Sequence, residues 1–136
     1  MTTDPELQKT FKVFLDDSGI INVVYLVGVK DPETQARQAE LIEKALLKIT
    51  KDNPQNSYKM LADLLSAGDV GHASDKSKQI YSRLADKIYF EKTAVVGTNV
   101  FMKAAANVIF EISGRGDRAR WFGNKEEAIK WLKKVK

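Results

Sequence analysis

The sequence predicts an α/β fold: a single mixed five-stranded sheet, with an antiparallel hairpin at the start and then parallel strands joined by helices. Three observations lead there. An alternating apolar segment, Thr10–Asp16, is followed across the turn residues Asp16-Asp17-Ser18-Gly19 by the apolar run Ile20–Val29. Beyond it, short apolar runs bounded by turn formers alternate with stretches whose apolar residues recur every three or four positions. Strands separated by helices imply parallel pairing through crossovers. Finally, 136 residues that are 43% apolar and 29% charged form one core without disulfides or a structural metal. The expected organisation is one domain over 1–136, with residues 1–9 a short flexible N-terminus.

In the opening hairpin Phe11, Val13 and Leu15 alternate with polar neighbours, Phe14 excepted. Asp31-Pro32-Glu33 then starts a helix, with Asp31 as N-cap, Pro32 at the first helical position and an acid in the first turn. Ala39, Ile42, Ala45, Leu46 and Ile49 make its buried face, Glu33, Glu40, Glu43, Lys44 and Lys48 look outward, and Asn53-Pro54 blocks continuation. Tyr58–Leu65 has the length and apolarity of a buried strand, with Asp63 an unusual member. After a Gly, Ser and Asp-rich loop over 66–74, Ile80, Tyr81, Leu84, Ala85 and Ile88 mark one face of a helix from about Asp75 to Tyr89. A strand around Ala94-Val95-Val96 precedes a largely apolar helix, Val100–Ile112. Its Ala104, Ala105 and Ala106 permit either close packing on the sheet or a cavity against it, and sequence does not choose between them. A last strand, Arg118–Phe122, leads to a helix capped by Asn124, with Ala128, Trp131, Leu132 and Val135 as its buried stripe. Trp121, Trp131, Phe101 and Phe110 are spaced as core residues.

The available chemistry is narrow. There is no cysteine and a single histidine, His72, which excludes disulfides, a thiolate nucleophile and any site needing two histidines. No nucleophile, base and orienting group can be assembled, so the chain reads as a non-enzyme without cofactor or metal. No loop carries GxGxxG or a Walker sequence. The longest apolar run, Val23–Val29, is far short of the roughly 20 residues that span a bilayer. With no signal core in its first ten residues, a cytoplasmic location is expected. The net charge of +4 is C-terminal: eight basic and three acidic side chains between Arg115 and Lys136 leave 14 basic and 15 acidic ones before them. Lysines also gather at helix C-termini to offset the dipole, and this basic end lacks interleaved exposed aromatics, so no nucleic acid is expected as partner.

The order β-β-α-β-α-β-α-β-α, with Lys92-Thr-Ala-Val-Val-Gly97 and Arg120-Trp-Phe-Gly-Asn-Lys-Glu-Glu-Ala-Ile-Lys-Trp-Leu132, resembles the SpoIIAA-like branch of the STAS superfamily over about residues 10–135. The resemblance implies a small bacterial or archaeal cytoplasmic domain related to anti-sigma factor antagonists and similar in shape to lipid-binding CRAL-TRIO domains. In those antagonists an Asp-Leu-Ser-Gly type run is followed by Asp-Ser-Ser-Gly, whose serine is phosphorylated at a helix start. Here the matching stretch is Asp63-Leu-Leu-Ser-Ala-Gly-Asp-Val-Gly-His-Ala-Ser-Asp75. Asp63 and Leu64 fit the first run, the second is missing, and Ser74 stands at the equivalent helix start as the phosphoacceptor the resemblance implies.

Function is expected at the C-terminal edge of the parallel strands, where ligands of open α/β sheets bind. Loops 66–75, 97–99 and 28–31 should leave the sheet there, and Ser66, Gly68, Asp69, Ser74, Asp75, Gly97, Thr98 and Asn99 are the candidate ligand- or partner-binding residues. The bland alternatives are that Ser74 or Asp75 only caps a helix, and that any binding uses the basic final helix. The expected role is a non-catalytic binding or regulatory module, monomeric or homodimeric. Its partner is a protein or a small anionic or apolar ligand, with carriage of a lipid or other apolar molecule as the alternative.

Overall fold

In the computed structural model, residues 3–55, 57–67, 74–112 and 117–134 are described. The hairpin forms as β1 (Phe11–Leu15) and β2 (Ile20–Tyr25), antiparallel, with Phe11 opposite Tyr25 and Leu15 opposite Ile21. Its turn is fixed by Asp16, whose Oδ1 accepts from the amides of Ser18 and Ile20 at 2.9 and 3.0 Å, and by Gly19, whose φ of 81° few side-chain-bearing residues adopt.

Helix α2 (Pro32–Asp52) leads to β3 (Tyr58–Asp63), α3 (Asp75–Lys87) to β4 (Phe90–Val96), and α4 (Val100–Ile112) to β5 (Ala119–Phe122); α5 (Lys125–Lys133) closes the chain. The sheet order is β1-β2-β3-β4-β5, and every pair after the hairpin is parallel. Each crossover therefore steps the same way, and α2, α3 and α4 collect on one face.

Register defines the two faces. Val23, Ala62, Val95 and Trp121 form one row across the sheet; Val24, Asp63, Val96 and Phe122 form the next, pointing the other way. The first side packs Ile21 and Val23 against Leu41, Ile42 and Leu46 of α2 and Leu84 of α3, and Ala62 and Val95 against Ala106 and Phe110 of α4. The second packs Ile20, Leu61, Ala94 and Val96 against Ala128 and Leu132 of α5.

The structure departs from the sequence expectations at four points. Residues predicted as a flexible N-terminus include a short helix, α1 (Asp4–Leu7), because Thr3 and Glu6 form a reciprocal capping box and Leu7 inserts into the core with 1% exposure. Arg37 of α2 adds an ion pair at 2.6 Å to Asp4. Glu43, expected on the outer face of α2, is buried, because α3 brings Arg83 and Lys87 to within 2.6 and 3.1 Å of its carboxylate. Phe101, expected in the core, is 48% exposed, because α4 turns Ala106 and Phe110 to the sheet instead. Trp131 is half-buried, covering Phe122 and lying under the Lys92 ammonium at the C-terminal end of α5.

Candidate functional site

The parallel register brings the loops after β2, β3, β4 and β5 to one edge, each leading into a helix. Two of the side chains predicted to bind there, Ser74 and Asn99, are engaged in starting those helices, as is Asp31 beside them. Asp31 accepts from Thr34 N at 2.9 Å to cap α2. Ser74 caps α3: its Oγ accepts from Ser77 N at 3.1 Å and lies 2.7 Å from Ser77 Oγ, while its amide donates to Gln35 Oε1 at 2.9 Å and ties α3 to α2. Asn99 Oδ1 accepts from the amides of Phe101 and Met102 at 2.9 and 3.2 Å and opens α4.

Asp75 stands outward in the first turn of α3, 3.4 Å from Lys78. Ser66 and Thr98 are exposed. Gly97 is buried, and a Cβ there would sit 3.0 Å from the Trp121 ring and 3.2 Å from Leu64 Cβ, a close approach that suits only glycine. Gly68, Asp69 and His72 lie outside the described residues. Thr98 and Asn99 do come together with Leu64, Ala67, Met102 and Trp121 around a shallow depression of about 20 Å³. Asp63 accepts from Leu65 N at 3.0 Å and pairs with Lys125 at 3.3 Å, so its carboxylate joins the end of β3 to the start of α5.

The feature that sequence left open lies behind this edge. Between the sheet and helices α2, α3 and α4 is a cavity of about 140 Å³. Its floor is the row Val23, Ala62 and Val95 with Met60 and Thr93, its roof is Met102, Ala105, Ala106, Ile109 and Phe110 of α4, and Ile42, Leu46 and Leu84 close one side. Gly28 and Ala67 carry its lining to the strand edge, and the small depression there shares Leu64, Ala67 and Met102 with it. The alanines of α4 thus leave space against the sheet. Apolar cavities of about this size stay dry and accept a benzene-sized molecule.

Six lining residues are polar. Gln35, Gln38 and Ser77 are at the helix starts, where Gln35 Nε2 donates to Val29 O at 2.8 Å and Gln38 Nε2 to Thr10 Oγ1 at 2.9 Å. Thr93 is buried with no partner for its hydroxyl. Tyr25 and Tyr81 share a hydrogen bond of 2.8 Å between their hydroxyls. Burial pushes the Tyr25 hydroxyl up to about 12, partly offset by the bond to Tyr81, and burial beside Tyr25 also raises Tyr81 well above its usual value, so both stay protonated at ordinary pH. No described residue lining the cavity is charged. Sequence reasoning placed Tyr81 on a buried helix face without assigning it a role; the available signal was a hydroxyl on a stripe otherwise made of hydrocarbon.

Among the described residues, no three His, Cys, Asp or Glu side chains gather as a metal ion would require, and no helix is long and apolar enough to cross a membrane. The chain matches no family model. It matches no curated protein either. A solved structure does match: an uncharacterized protein of the DUF3478 family from Shewanella loihica PV-4, with a SpoIIAA-like fold, is similar over 90% of this chain and 91% of its own, at a TM-score of 0.53 and 18% identity. At that identity the likeness is one of architecture, and it agrees with the strand order: this chain has a SpoIIAA-like fold.

Proposed function

We propose that the chain acts as a single-domain, non-catalytic binding module of the STAS-like type, and that its ligand is a small apolar molecule held between the sheet and α2–α4. The cavity is the observation that carries this reading. An apolar space of about 140 Å³ gives up packing contacts that a closed core would make, and that loss is recovered when a hydrocarbon fills it. The mostly hydrocarbon lining with a few polar groups is what small-molecule sites have. Among the described residues, no constellation supporting an enzymatic reaction competes with it.

The strand edge belongs to the same reading as its outward face. Ser66, Ser74, Asp75, Gly97, Thr98 and Asn99, with Gly68 and Asp69 in the same loops, are proposed to meet a partner protein or an anionic group. Ser74 is the proposed phosphoacceptor. The observation favouring this edge is that Leu64, Ala67 and Met102 border both the cavity and the depression beside Thr98 and Asn99, so filling one bears on the shape of the other.

Thermal unfolding with and without toluene tests the proposal. At ten times its Kd a bound ligand stabilises by about 1.4 kcal/mol, a rise of a few degrees for a chain of this length. Ala105→Leu, which fills the space from α4, should abolish the rise while preserving the fold. An unchanged transition in wild type at saturating toluene would remove the basis for this reading.

A further inference from the structure

We infer that the cavity takes a compact, uncharged molecule carrying a hydrogen-bond acceptor, which meets the Tyr25–Tyr81 hydroxyl pair while its hydrocarbon part points toward Thr93; this rests on the reading of the cavity as a binding site. The lining excludes charge. With no Asp, Glu, Lys, Arg or His among the described residues that form it, an ionised group would enter without a countercharge, and the desolvation of an unpaired charge exceeds what burying one ring returns.

The hydroxyl pair supplies the polar contact. Two hydroxyls 2.8 Å apart carry two protons, and their mutual bond uses one of them. The other is available to a carbonyl, ether or ester oxygen. Because burial raises both tyrosines, the pair remains a donor across the ordinary pH range.

Register supplies the direction. Thr93 lies opposite Met60, which lies opposite Ile21, four residues before Tyr25 along β2. At about 3.3 Å per residue that is roughly 13 Å of strand. The Thr93 hydroxyl has no partner but is sealed within the wall, so the deep end presents hydrocarbon, with Met60 opposite it in the sheet, and the polar contact sits at the end nearer the strand edge. The size limits the ligand's core to about one ring.

Calorimetry on the full chain with three molecules of similar shape tests the inference: acetophenone, isopropylbenzene and benzoate. Wild type should bind the ketone and the hydrocarbon and give no heat with benzoate at pH 7. The double variant Tyr25→Phe/Tyr81→Phe should bind the ketone about three- to tenfold more weakly, the worth of one hydrogen bond, and the hydrocarbon within about twofold of wild type. Should the double variant fail to give a cooperative melt, the carbonyl stretch of acetophenone bound to wild type carries the test: a band lowered from its position in hydrocarbon solvent supports the inference, and an unshifted band overturns it. Equal loss for ketone and hydrocarbon, no loss for either, or tighter binding of benzoate than of ketone would overturn the inference while leaving the cavity a binding site. Failure of both ketone and hydrocarbon to bind wild type would reject the cavity reading and the inference with it.

Discussion

Thr93 places a hydroxyl in the wall of the cavity, 2% exposed and without a hydrogen-bond partner. An unmet buried hydroxyl forfeits its bonds to water with no return, at a cost of about 1–3 kcal/mol. Replacing it with a methyl group of similar size should therefore stabilise the ligand-free protein: Thr93→Val is expected to gain about 1 kcal/mol in urea denaturation. A loss of stability would mean that the hydroxyl has a partner. The residue scale is also where sequence reasoning was weakest. The periodicity of α2 marks Glu43 as polar, but not that Arg83, forty residues later, meets its carboxylate at 2.6 Å. Likewise the pattern of α4 is apolar nearly all round and so does not say which apolar side chain faces the sheet; Phe110 does and Phe101 does not.

At the scale of elements, α2 and α3 are joined by apolar contacts, Ala36 and Ala39 on Ile80, and by Glu43 with Arg83 and Lys87. Hydrogen bonds from Arg83 and then Lys87, working against burial, hold the Glu43 carboxyl below its usual value of 4.5. A carboxyl depressed by folding contributes stability that is fully present above the unfolded value and is lost as pH falls through the lower folded one. Arg83→Ala should cost about 1–2 kcal/mol at pH 7, and the gap to wild type should narrow below about pH 4. Denaturation midpoints at pH 7 and pH 3 measure this; an equal gap at both would show that the link is packing by the Arg83 stem. Helix starts were the most legible part of the sequence, since Asp31, Ser74 and Asn124 each accept from an amide three residues on. The four-residue α1 was missed because its only core contribution is Leu7. In α5 part of the basic C-terminal charge has a local role: Lys125 pairs with Asp63, while Lys130 and Lys133 lie in the last turn, where they oppose the dipole.

For the whole molecule, the order of strands and helices followed from hydropathy because each element's period is written in its own residues. Same-direction parallel crossovers then lead to the sequential sheet and to three helices on one face. The cavity is different in kind. It is the space left where α4 spans its neighbours on small side chains, Ala105 and Ala106, and a gap between elements has no residue pattern of its own. The strand edge was legible as a place, but several of its polar side chains prove to be occupied as caps. Amide-shift mapping with isopropylbenzene reads the filling of the cavity residue by residue. The cavity reading predicts perturbations on both walls at once, at Val23, Ala62 and Val95 of the sheet and at Ala106 and Phe110 of α4, with α5 unmoved. Shifts confined to Lys125–Lys133, or none at those five residues at saturating hydrocarbon, would contradict it.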